Sequence, residues 1–288
     1  MIKSMTGYAA QSRELAQFSL HLELKSVNAR FLDIHFRIGD ELRFLELPLR
    51  ELITSRAGRG KVECRLQMQA STARPRELVP NATMLGHLKD LEAVVRREMP
   101  AAAPLGVADI LRWPGILGEE AVDPEVLQAA CMELAGAAVA EFVASREREG
   151  EKLAAMLRER VTRMRDLVAQ AEPLLPQALA DYRERLSQKL REAVASLDEE
   201  RIRQEVGVFA TRIDVAEELS RLSAHLDETE RILRQGGAAG KRLDFLMQEL
   251  NREANTLSSK SVSGQVTAIA LELKLLIEQM REQVQNIE

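Results

Sequence analysis

The stretch Phe18–Gly39, FSLHLELKSVNARFLDIHFRIG, decides the fold class. Ala, Leu, Glu and Arg dominate the chain, a composition that favours helices, and this stretch alternates instead. Phe18, Leu20, Leu22 and Leu24 fall on one face, with His21, Glu23 and Lys25 on the other. That period of two marks a half-buried strand. A second alternation sets Leu32, Ile34, Phe36 and Ile38 against Phe31, Asp33, His35 and Arg37, with Ser26 to Arg30 as a turn or bulge between the two strands. GKVECRLQMQA, residues 60–70, makes a further strand with Val62, Cys64, Leu66 and Met68 on one face. Between them DELRFLELPLRELITSRAG fits a helix that Pro48 divides or kinks. The expectation is an α+β protein that begins with a small antiparallel sheet carrying at least one helix.

Working outward, STARPREL reads as a loop, and Asn81 caps a helix running to about Arg97. EMPAAAPLG is a linker, WPGILGEEAVDP is irregular, and Trp113 is expected to be a buried anchor. From Pro124 a long helical pattern runs through Leu127, Leu134, Phe142, Leu153, Leu157, Met164 and Val168 until Pro173 and Pro176 break it. A second long helix fits Gln177 to about Leu197, and together they read as an arm or an oligomer contact. Three helices close the chain: one striped by Val215, Leu219, Leu222, Leu226 and Leu233; one after the GGAAGK turn, striped by Leu243, Leu246, Leu250, Ala254 and Leu257; and a last one along Val266, Ile269, Leu273, Leu276 and Met280. They fit a compact antiparallel bundle.

The 288 residues suffice for roughly two domains. A net charge of −5 excludes a uniformly basic nucleic-acid binder but not a local basic patch. Cys64 and Cys131 lie far apart and form no Cys-x-x-Cys pair, against a disulfide framework or structural zinc. MIKSMTGYAA is not a signal peptide, and no run of about 20 apolar residues suggests a membrane span. The cytoplasm is the expected compartment.

Two clusters invite chemistry. Glu218 and His225 share one side of their helix, and the short GGAAGK turn sets the next helix antiparallel, so that Glu249 and Glu253 face them. Carboxylates with a histidine suit Mn²⁺ or Mg²⁺, or general acid–base work on a phosphodiester. The plainer alternative is salt bridging, Glu218 with Arg221 or Glu249 with Arg252 or Arg242. The second cluster is basic. RAGRGK offers Arg59 and Lys61 on a Gly-flanked turn whose backbone amides and cations suit phosphates, and KSVNARF adds Lys25, Asn28 and Arg30. SREREGEKL, with Arg146, Arg148 and Lys152, reads as a solvated helical face, although Gly150 inside it hints at a packing contact or a bend. No P-loop, Gly-x-Ser-x-Gly or Cys–His nucleophile arrangement occurs.

MIKSMTGYA, SVNARFLD, RGKVE, REREGEKL, DVAEELSRLSAHL, RLDFLMQELNREANTLSSKS and LELKLLIEQMREQVQNIE resemble the bacterial YicC family, in order, from residue 1 to 288. The resemblance implies an N-terminal region over 1–155, a helical arm over 156–203 and a C-terminal helical domain over 204–288. It implies an endoribonuclease that cuts single-stranded RNA with a divalent metal, Mn²⁺ or Mg²⁺, in small-RNA turnover. It further implies a cytoplasmic homo-hexamer with RNA-degradation enzymes as partners. On that reading Glu218, His225, Glu249 and Glu253 form the catalytic and metal-binding centre, and Lys25, Asn28, Arg30, Arg59 and Lys61 hold RNA. A non-catalytic RNA-binding adaptor that presents RNA to another nuclease, or a helical scaffold, are the alternatives.

Overall fold

The structure is a computed structural model that describes residues 1–15, 18–70, 79–117, 124–193 and 199–288. The loop expected at 71–78 and the end of the second long helix lie outside the described residues.

Four strands form one sheet in the order β1 (Gly7–Glu14), β2 (Phe18–Val27), β4 (Gly60–Ala70), β3 (Leu32–Ile38). The α+β class holds, with one correction: β4 pairs antiparallel with β2 but parallel with β3, so the sheet is mixed. The connection explains it. A 3₁₀ turn and α1 (Glu46–Thr54) carry the chain back to the end at which β3 began, and a helical crossover of this kind is what a parallel pair requires. Pro48 lies in the first turn of α1, where its missing N–H has no helical partner to lose. Strand β1 escapes the alternation rule because its inward residues, Gly7 and Ala9, are small.

Small residues there let α4 (Pro124–Ala171) lie close on the sheet. This 48-residue helix is the spine of the molecule. Its first half buries Leu127, Cys131, Leu134, Ala138 and Phe142 with β2, β4 and α1. Its second half buries Leu153, Leu157, Val161, Met164 and Leu167 in a second core, shared with α7 (Ala216–Gln235), α8 (Gly240–Lys260) and α9 (Gly264–Val284). Each buried leucine contributes about 1.5–3 kcal/mol. Residues 124–192 include a window apolar enough to cross a membrane, yet the apolar stripe of α4 packs into these two cores.

Between the two long helices Pro173 stands in a single 3₁₀ turn, after which α5 (Leu175–Ala193) and α6 (Glu199–Arg212) follow. The bundle α7–α9 matches the three-helix expectation, with Gly236 ending α7 at φ +70°. Asn81 caps α2 (Ala82–Glu98) by accepting from the Met84 amide at 3.0 Å. Trp113, expected inside, is 45% exposed after α3 (Val107–Arg112). Of the nearby α2 only Leu88 is buried.

Candidate functional site

Helices α7 and α8 run antiparallel and present a polar seam beside their leucine stripes. At one end the Lys260 ammonium donates to Glu218 Oε1 at 2.8 Å and to the Asp214 carbonyl at 3.3 Å. Further along, Arg221 reaches Glu253 at 3.5 Å and also bonds Glu217, and these carboxylates, Glu217 first, raise its pKa. At the far end Arg242 meets Glu228 at 3.5 Å. His225 lies one helical turn beyond Arg221, and Glu249 one turn before Glu253, so the antiparallel run sets these two at the same level. Both are half-buried.

All four expected centre residues therefore line one seam, in two unlike pairs. Glu218 and Glu253 are buried, with 5% and 4% exposure, and each carries a cation partner. His225 and Glu249 stand nearer solvent. Among the described residues no three His, Cys, Asp or Glu side chains gather into a group that could hold a metal ion. The four residues of this chain thus do not fit a common metal shell. Among the described residues, the buried Glu218 Oε2 has no hydrogen-bond partner. Lys260 belongs to this seam although the spacing of carboxylates gave no reason to choose it.

The basic cluster does assemble. Asn28 and Arg30 are exposed in the turn between β2 and β3. Arg59 Nε donates to the Arg30 carbonyl at 3.3 Å, and the exposed Lys61 pairs across the sheet with Val27 and Asp33. Lys25 sits on the uncovered sheet face between Tyr8 and Glu63. One expectation needs correcting. The Gly58 and Arg59 amides are not open to phosphate: both donate to Glu288 Oε1, at 2.6 and 3.1 Å. A carboxylate of the chain itself fills that anion seat.

Behind this turn lies a second correction. Arg146, expected on a solvated face, is 1% exposed. Its guanidinium donates to the Ser4 carbonyl at 2.6 Å, to Glu288 Oε2 at 2.9 Å and to the Arg59 carbonyl at 3.5 Å, and it lies over the Phe142 ring. Burial lowers its pKa, and Glu288 opposes that. The signal was in the sequence: Phe142, Arg146, Gly150, Leu153 and Leu157 share one helical stripe, so Arg146 stands on the buried face.

A family model described as "Endoribonuclease YicC-like, N-terminal region" matches residues 2–155, and one described as "Endoribonuclease YicC-like, C-terminal" matches 171–288. Over the full length of both chains, the protein is 39% identical to one from Haemophilus influenzae named "Probable endoribonuclease YicC". It is 27% identical, again over both full lengths, to one of the same name from Clostridioides difficile. The segments that meet around Arg146 and along the seam fall inside the two matched regions, and the chain belongs to the endoribonuclease YicC-like family.

Proposed function

We propose that this protein is an endoribonuclease that cuts single-stranded RNA by acid–base chemistry in the α7–α8 seam. The observation that carries the reading is that His225 and Glu249 stand at one level of the seam, one helical turn from the Arg221–Glu253 pair. In this reading Glu249 takes the proton of the 2′-hydroxyl as it attacks the adjacent phosphorus. His225, protonated, gives its proton to the departing 5′-oxygen, and the P–O5′ bond breaks. Arg221, one turn from this level, stabilises the added negative charge on the phosphoryl oxygens. Glu253 holds Arg221 in place, and the Lys260–Glu218 pair closes the end of the seam. Arg30, Arg59 and Lys61, with Asn28 and Lys25, grip the backbone. Arg59 reaches the first residue of α8, about 14 Å along the axis from Glu249, so one strand spans both sites.

The same reading places the protein in the cytoplasm, in small-RNA turnover with other RNA-degradation enzymes, and as a homo-hexamer. The apolar stripe Leu91, Val94 and Val95, exposed on α2 and continued by Met99 at its end, supports self-association.

The test is cleavage and binding of a labelled single-stranded RNA by wild type, His225→Ala, Glu249→Gln and Arg59→Ala/Lys61→Ala. Each is assayed with Mn²⁺, Mg²⁺ or EDTA at matched oligomeric mass. The seam variants are expected to lose about 10²–10⁴-fold in rate while still binding RNA. The basic pair is expected to lose affinity. Equal cutting by wild type and both seam variants removes the seam from the chemistry. RNA bound but uncut by wild type under every condition selects the adaptor, a reading favoured by the neutralised Glu218 and Glu253. Cutting that EDTA abolishes assigns the reaction a metal and overturns the metal-free step.

A further inference from the structure

We infer that Glu288, clasped by Arg146, is a positioning residue for RNA binding: it fixes the turn at Gly58 and Arg59, which leads into β4 at Lys61, against the start of α8. The inference rests on the reading of Arg59 and Lys61 as RNA contacts. One residue touches everything that must be aligned. Glu288 Oε1 accepts from the amides of Gly58 and Arg59. Oε2 accepts from Arg146 at 2.9 Å. Its backbone oxygen accepts from the Ala239 and Gly240 amides, at 3.0 and 3.1 Å, where α8 begins. Its own amide donates to the Lys3 carbonyl at 3.0 Å.

The arrangement has no slack. A Cβ on Gly58 would stand 2.8 Å from Glu288 Oε1, and one on Gly7 would stand 2.5 Å from Arg146 Cγ. Two adjacent amides of a turn form an anion seat. Filling it with an internal carboxylate removes that seat from competition and sets the turn's backbone before RNA arrives. Because α8 also carries Glu249, the same contact registers the RNA-gripping turn against the seam. A buried guanidinium without its carboxylate is strongly unfavourable, which makes the pair a clasp and not an incidental bridge.

Two variants test it. Glu288→Gln keeps shape and one acceptor but drops the charge. The double variant Arg146→Met/Glu288→Met removes both charges together and leaves no buried ion unpaired. Thermal melting, amide hydrogen exchange at Gly58 and Arg59, and steady-state cleavage of a short single-stranded RNA are measured on each. The expected result for both is faster exchange at those two amides and a KM raised about tenfold, with kcat within about twofold of wild type. A simple loss of stability would lower the active fraction, and hence kcat, without moving KM. Wild-type KM in either folded variant, whatever the exchange shows, overturns the inference. So does unchanged protection of both amides. Wild-type RNA affinity in Arg59→Ala/Lys61→Ala sinks instead the underlying assignment of RNA contacts, and does so independently of the clasp variants.

Discussion

A Cβ at Gly240 would stand 2.2 Å from the Ile287 carbonyl oxygen, and one at Gly150 would stand 2.2 Å from that of Ile2. Backbone oxygens cannot swing aside as a side-chain tip does. Gly240→Ala and Gly150→Ala are therefore each expected to destabilise by at least about 1–3 kcal/mol. Gly136, with nothing within 4 Å of an added methyl and a helix around it, should do the reverse: Gly136→Ala gains roughly 0.5–1 kcal/mol. Chemical denaturation of the three variants checks the contrast. The cysteines give a second prediction. Burial pushes the Cys64 thiol up to about 12 and Cys131 up to about 11. At pH 8 both are protonated and shielded, so iodoacetamide should label neither in the native protein and both in urea. Rapid native labelling of Cys64 would contradict its burial on the core face of β4. The hint of packing at Gly150 was legible because a glycine inside a charged helix needs a reason. The burial of Arg146 was legible too, through its place on the apolar stripe, but charge type masked it.

At the scale of elements, the seam between α7 and α8 shows how periodicity and partnership differ as sources of information. The leucine stripes fix which faces meet, and Glu218, His225, Glu249 and Glu253 follow from that register. Their partners do not, since Lys260 and Arg221 reach them only because of the rotation and axial offset that packing selects. Lys260→Met leaves the buried Glu218 carboxylate with no cation, and is expected to cost up to about 3 kcal/mol. Adding Glu218→Leu should recover most of that loss, and melting of the single and double variants measures it. A double variant no more stable than the single would show that the pair is not coupled. Glu230 adds a pH dependence where α7 meets α4. Hydrogen bonds, first from Arg165 and then from Arg234, hold its carboxyl below the ordinary 4.5. A lowered native pKa gives a contribution that is complete above the ordinary value and disappears as pH falls through the lowered one. The melting-temperature gap between wild type and Glu230→Gln should therefore close in acid below about pH 4. A gap constant from pH 3 to 7 would refute it.

For the whole molecule, α4 decides behaviour. It belongs to both cores, and the N-terminal segment crosses with it: Ile2 packs in the bundle core while Ser4 and Met5 bond to the Arg146 carbonyl and the Asn286 carbonyl. Sheet and bundle are thus expected to unfold together. Glu149→Pro breaks the helix between the halves, at about 3 kcal/mol or more. Calorimetry should then resolve two transitions in place of one. A single sharp transition would mean that the contacts around Arg146 and Glu288 couple the halves without the helix.

By itself the sequence determined what short-range periodicity can encode: alternating strands, amphipathic helices, the Asn81 cap, the glycine-rich turn, and the faces that carry acids and bases. Those features depend on neighbours within a turn or a strand, so local spacing is enough. Tertiary structure alone decided the parallel pairing of β3 with β4, the occupation of the 58–59 amides by Glu288, and the cations that neutralise Glu218 and Glu253. Each of these depends on which distant segments the two cores bring within bonding range. No local pattern records a contact between residues 58 and 288.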